Sequence, residues 1–203
     1  MKAATRITLC LSALFWTAGC TSNDSNDDTA DPAVDYCAQA ALHMPTLLVG
    51  TGTNEFSQIE PTDVLTPAWG PQGGHHIWAA VQTTGINPGQ GKMVYEDTGL
   101  EGYGYLTPSG ADPVLITLEV SLEGNEMGPY NGTYQNFLTG SPEQAELNGL
   151  TAIIDAWGIV ARYEEQESIG ATLWVSVVDG CGNVVTDSKP FIMNLENIEG
   201  IYD

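Results

Sequence analysis

The chain has 203 residues, with five Lys and Arg against 26 Asp and Glu, a formal net charge of −21 and a sequence pI near 4.1. So acidic a surface repels phosphate backbones and anionic lipid head groups, which excludes nucleic acid as a partner. The length suffices for one sizeable core, and no apolar run reaches the roughly 20 residues a spanning helix needs.

At the amino terminus Lys2 and Arg6 precede an apolar stretch, Ile7 to Trp16. It is too short to cross the hydrocarbon but suits the h-region of a secretory signal. Thr17-Ala18-Gly19 then places small residues before Cys20. That run resembles the lipobox of bacterial lipoproteins, with Thr17 standing where leucine is commoner. The resemblance implies a signal peptide over residues 1–19, cleavage before Cys20, and lipid attachment at Cys20 that makes the membrane a partner. Residues 20–35 are rich in Ser, Thr, Asn and Asp and carry no aromatic side chain. Such a segment buries too little apolar surface to offset its ordering entropy, so it reads as a polar tether. Thr21 follows the cysteine where an Asp resembles an inner-membrane retention signal, which implies the outer membrane of the cell envelope.

Cys10 leaves with the signal and Cys20 takes lipid, so Cys37 and Cys181 remain as one pair in an oxidising compartment. Neither sits in a C-x-x-C, and a disulfide is expected to tie the start of the domain to a late hairpin.

Residues 36–203 form the single domain. Thr46 to Gly50 and Thr53 to Glu60 read as opening strands. His75 to Thr84 is another, ended by Asn87-Pro88-Gly89-Gln90-Gly91, with Lys92 to Glu96 returning as its hairpin mate. Along it Ile77, Ala79 and Val81 share one face, and His76, Trp78 and Ala80 the other. Two apolar faces imply a central strand, with Trp78 filling the core or covering its edge, and Gly73-Gly74 permitting close backbone approach. Gly99 to Gly110 reads as a loop carrying Tyr103 and Tyr105. Val114 to Glu123 alternates apolar and polar residues throughout, the period of a half-buried antiparallel strand. Ser141-Pro142-Glu143 opens a short helix by capping logic, while Leu150 to Val160 fits strand or helix. Ala171 to Val178 is a strong strand, Asp179-Gly180-Cys181-Gly182-Asn183 a tight hairpin, and Val184 to Thr186 and Phe191 to Leu195 close the chain. Many short strands punctuated by turns argue for a sandwich.

Gly70-Pro71-Gln72-Gly73-Gly74-His75-His76-Ile77-Trp78 resembles the G-P-Q-G-G-x-H-apolar-Trp segment of poorly characterised bacterial lipoproteins, and A-T-L-W-V-S-V-V-D-G-C-G-N resembles their closing strands. The resemblance covers about half the domain. It implies an all-β, immunoglobulin-like antiparallel β-sandwich with long loops and an exported setting. It brings neither catalytic residues nor a cofactor.

The histidines are His43, His75 and His76. Imidazole and thioether ligands suit copper, and imidazole suits zinc, which makes His75 and His76 the metal candidates. As strand neighbours they point to opposite faces, one packed and one solvated, unless the glycines distort the strand start. No G-x-S-x-G or calcium-loop pattern is present. Tyr103, Tyr105, Tyr130 and Tyr134 lie among glycines and asparagines, where rings either stack on a protein or glycan ligand or cover the ends of the sandwich. The sequence therefore leads to a lipid-anchored, non-catalytic binding or structural module without a cofactor, and the alternative is a metal-handling lipoprotein using His75 and His76.

Overall fold

The computed structural model describes residues 35–70, 74–100, 103–124, 129–163 and 166–196. The signal, Cys20 and nearly all of the tether lie outside these residues, as does Gly73. The described chain runs α1 (Tyr36–Ala40), β1 (Thr46–Thr51), β2 (Ser57–Gln58), β3 (Val64–Leu65), β4 (Ala68–Trp69), β5 (His75–Thr84), β6 (Gln90–Leu100), β7 (Tyr103–Ala111), β8 (Val114–Leu122), β9 (Tyr130–Asn136), β10 (Thr139–Ser141), β11 (Gln144–Ile154), α2 (Ala156–Arg162), β12 (Ser168–Val178) and β13 (Val184–Asn194).

Two sheets form the body. The first has the order β10-β11-β5-β1-β2, with β4 added beside β5; the second has the order β3-β13-β12-β8-β9. In spatial order β1, β5, β11 and β10 take the A, B, E and D positions of an immunoglobulin sandwich, and β8, β12 and β13 take C, F and G. The fold is thus an all-β, immunoglobulin-like antiparallel sandwich. The exception to antiparallel pairing is β3, which runs parallel to β13. The β6–β7 hairpin is inserted between the B and C positions and pairs only with itself.

Period-2 alternation explains why the sheets meet. Val114, Ile116, Leu118, Val120 and Leu122 on β8 and Ile169, Ala171, Leu173, Val175 and Val177 on β12 form one wall of a single apolar cluster. Leu47 and Val49 on β1, Ile77, Ala79 and Val81 on β5, and Leu150, Ala152 and Ile154 on β11 form the other. Burying such a set is the main favourable term in folding. Where β13 runs clear of its short pairing with β3, the Lys189–Asp187 ion pair at 3.3 Å and the exposed Pro190 discourage pairing with another chain.

Cys37 and Cys181 form a disulfide, with Cα atoms 5.6 Å apart and a sequence separation of 144. Its hairpin is organised by the buried carboxylate of Asp179, which accepts hydrogen bonds from the backbone N–H groups of Asn87, Cys181 and Asn183 and from Asn183 Nδ2, all within 3.0 Å.

Four local expectations are corrected. Lys92 to Glu96 does not return along β5; β6 pairs with β7 instead, and β5 lies between β1 and β11. Gly99 to Gly110 is not a loop, because most of it is β7. Ser141-Pro142-Glu143 turns between β10 and β11 rather than capping a helix, since Ala145 and Leu147 are needed opposite Thr83 and Val81. Thr53 to Glu60 contributes only the two residues of β2. Leu150 to Val160 divides: strand to Ile154, then α2, whose N-cap Asp155 accepts from Gly158 N at 3.0 Å.

Candidate functional site

A cavity of about 460 Å³ lies beside the β4–β5 hairpin, lined by Trp69, Gly70, Gly74, His75, His76, Trp78, Gly149, Thr151 and Ile153. Four pieces of chain bring these residues together. The β4–β5 hairpin sets Trp69 opposite His75 and Ala68 opposite His76, and Gly70 N–H donates to Gly74 O at 2.7 Å to close the turn. On the other side β11 sets Thr151 opposite Trp78 and Ile153 opposite His76.

Two glycines matter here. A Cβ on Gly70 would lie 3.2 Å from the Gly74 carbonyl oxygen, a tight contact, and 3.4 Å from His76 Nδ1, so the hairpin closes beside the imidazole with little room to spare. Gly149 sits at φ +71° in a β-bulge, where the β11 register shifts between Leu147 and Leu150. Left-handed backbone favours glycine there, and the bulge turns Gly149 and Thr151 towards the cavity. Gly149 N–H is held by Gly52 O at 2.9 Å.

Cross-strand partners fix the direction of each histidine. His75 stands opposite the buried Ile154, on the core side, with its ring edge-on to Trp69 at 4.8 Å between centroids. His76 stands opposite the exposed Ile153, on the outer side, edge-on to Trp78 at 4.4 Å. The pair does point to opposite faces. Neither ring is solvated, however: His75 is 2% exposed and His76 6%. Strand β4 and the two tryptophans cover what the sequence left open. Trp78 is half-buried on the outer face, so it walls the cavity instead of filling the core.

The electrostatics of His76 are unusual. Its Nε2 is buried and has no hydrogen-bond partner among the described residues. Burial, and secondarily the neighbouring His75, holds its pKa below the ordinary value of 6.5, so the ring is kept neutral.

The other candidates fall elsewhere. His43 follows α1 and does not line the cavity. No three His, Cys, Asp or Glu side chains gather as a metal-binding group among the described residues. Tyr103 and Tyr105 lie on β7. Tyr130 and Tyr134 lie on β9 and pack against the core. Burial, reinforced by Asp155, raises the Tyr130 hydroxyl above its ordinary pKa of 10.0. Tyr134 donates its hydroxyl to Thr151 O, stitching the second sheet to β11.

Trp69, Gly149, Thr151 and Ile153 are cavity residues that sequence reasoning passed over. The Asn148-Gly149 dipeptide inside an apolar run was a usable signal for the bulge. The Gly70–Gly74 turn was a usable signal for pairing Trp69 with His75.

No protein-family model and no curated protein matches the chain. Among solved structures it is similar to the CooA pilin subunit from enterotoxigenic Escherichia coli, at 16% sequence identity and a TM-score of 0.30, over 72% of this chain and 97% of that one. A TM-score this low does not establish a common fold.

Proposed function

We propose that this chain is a lipid-anchored, non-catalytic binding module of the bacterial cell envelope, attached through Cys20 and most consistent with the outer membrane. The anchor rests on the Thr17-Ala18-Gly19-Cys20 run after a short apolar segment and on the polar tether that follows it. The Cys37–Cys181 disulfide agrees with an exported, oxidising setting. The observation that carries the binding role is the cavity of about 460 Å³ beside the β4–β5 hairpin, lined by Trp69, Trp78 and Ile153 next to the buried His76 ring.

Two measurements test the proposal. Intact mass spectrometry of the chain recovered from a bacterial host is expected to find acyl mass at Cys20, absent from Cys20→Ser; an unacylated wild type overturns the anchor. A magnetic-resonance screen of small molecules and peptides is expected to yield compounds that shift the Trp69 and Trp78 indole signals, are lost from Ile153→Asp and are returned chemically unchanged. If no compound moves those signals, or a stoichiometric copper or zinc ion is found that His76→Ala releases, the binding role gives way, in the second case to metal handling.

A further inference from the structure

A strand at the end of a sheet presents backbone N–H and C=O groups that call for partners, and proteins blunt such edges with short strands, charges or proline. Most ends of the two main sheets are blunted in this way. Strand β10 has three residues, β2 and β3 have two each, and the part of β13 beyond β3 carries Asp187, Lys189 and Pro190. Strand β9 has none of these devices. It runs seven residues, Tyr130–Asn136, without a charge or a proline, and among the described residues it pairs only with β8. Its other edge borders a groove of about 470 Å³, with residues 133–136 on one side, residues 106–108 of β7 on the other and residues 149–151 of β11 between them. Successive side chains of a strand point to opposite faces, so four consecutive residues line one groove along their backbone edge. Strand β7, which pairs only with β6, meets the groove in the same way. It leads into β8 at Val114, opposite Asn136, which brings the two edges together at that end.

We propose that an extended, basic peptide segment of a partner protein adds as a strand to the β9 edge in this groove, a site separate from the cavity beside the β4–β5 hairpin. The extended form follows from the backbone. In an antiparallel ladder alternate residues turn both N–H and C=O to the same side, so about three or four residues of β9 offer both groups to an incoming strand. Main-chain hydrogen bonds then supply affinity, and alternate side chains of the segment meet the groove. The basic character follows from charge. The groove lining itself carries no charged side chain. Around it, Glu96 accepts from Thr107 Oγ1 at 2.9 Å, Glu119 stands opposite Asn131, and Asp155 lies close enough to act on Tyr130. The opposing cations are Lys92, paired across β6–β7 with Ser109, and Arg162, which also acts on Tyr130. Over the chain 26 acidic residues face five basic ones, so the field draws in a basic strand and repels an acidic one, a second copy of this chain included.

The test uses the mature lipidated chain in an uncharged detergent, with the backbone amide signals of residues 130–136 and their hydrogen exchange as readouts. The probes are a capped Lys-Val-Thr-Val-Thr-Lys peptide, its counterpart with Glu at both ends, and the basic peptide N-methylated at two adjacent central residues, which blocks both of its edges. Expected is saturable binding of the basic peptide at low ionic strength. It should shift the β9 amides and slow exchange at alternate positions, those turned away from β8. The N-methylated peptide should bind about tenfold or more weakly, as the loss of a main-chain hydrogen bond implies. The acidic peptide should also bind more weakly, by a margin that shrinks as salt screens the field. Leu106→Lys, a change at an exposed position across the groove, should narrow the same margin, whereas Ile153→Asp, in the other cavity, should leave peptide binding unchanged. The proposal is overturned if the basic peptide does not bind, if its shifts lie away from β9, or if the N-methylated or acidic peptide binds as tightly. It is also overturned if Leu106→Lys leaves the margin as it was, if Ile153→Asp abolishes binding, or if the free protein sediments as a dimer with its β9 amides already protected. Compounds that shift the Trp69 and Trp78 indoles while no peptide shifts β9 overturn this proposal alone and leave the cavity's binding role standing.

Discussion

The disulfide between Cys37 and Cys181 offers the sharpest quantitative test of the fold. The bridge closes 144 residues, nearly the whole sandwich, between α1 and the β12–β13 turn. Loop-closure entropy for a span of that length gives about 5 kcal/mol of stabilisation, acting mainly by restricting the unfolded chain. Denatured chains are more compact than ideal coils, so about 3–5 kcal/mol is the expected loss for the double change Cys37→Ser and Cys181→Ser. Against the roughly 5–15 kcal/mol that holds a domain together, this leaves a folded but much weaker protein. The native hairpin itself should persist, because the Asp179 carboxylate holds Asn87, Cys181 and Asn183 independently of the sulfur atoms. The assay is urea unfolding of the oxidised wild type and of the double variant, followed by tryptophan fluorescence. The midpoint should fall, and the slope should rise as the unfolded variant exposes more surface. A loss below about 1 kcal/mol, or two free thiols in the denatured unreduced wild type, would refute the reasoning.

Two further outcomes follow from the cavity and the core. Because the folded state holds His76 below its ordinary pKa of 6.5, the unfolded chain binds that proton more readily; the His76 contribution is complete above about pH 6.5 and drains away as pH falls towards the lower folded value. Melting temperature should therefore decline between about pH 6.5 and 5, above the range where carboxylates dominate, and His76→Gln should flatten that decline; an unchanged profile in the variant removes the argument. On β12, adjacent residues should behave oppositely: Leu173→Ala, fully buried between the sheets, is expected to cost about 2–5 kcal/mol, whereas Trp174→Ala, 49% exposed on the outer face, should stay within about 1 kcal/mol. Equal losses by chemical denaturation would mean that the β12 faces are assigned the wrong way round.

Local chemistry alone determined several elements of this protein. Val114 to Leu122 and Ala171 to Val178 alternate so strictly that one face has to be buried, and both are strands with those faces in the core. Asp179 to Asn183 holds residues suited to a tight turn, with Gly182 at φ +87°, and it joins β12 to β13. The disulfide followed from elimination once Cys10 and Cys20 were set aside. Tertiary structure alone decided which strand pairs with which. The residues of β6 carry the same alternation whether they meet β5 or β7, and register is a property of partners, not of one segment. The run after Ser141 has helix-start residues, yet Ala145 and Leu147 lie beside β5 because a sheet edge offered more burial than an isolated helical turn. The cavity was the least legible feature. His76 is buried beside the two-residue β4 and the Trp78 ring, and Ile153 and Trp69 reach the same opening from segments about 80 residues apart in the chain. A site assembled across strands leaves little trace in any one of them, since the neighbours of each side chain are set by pairing in space.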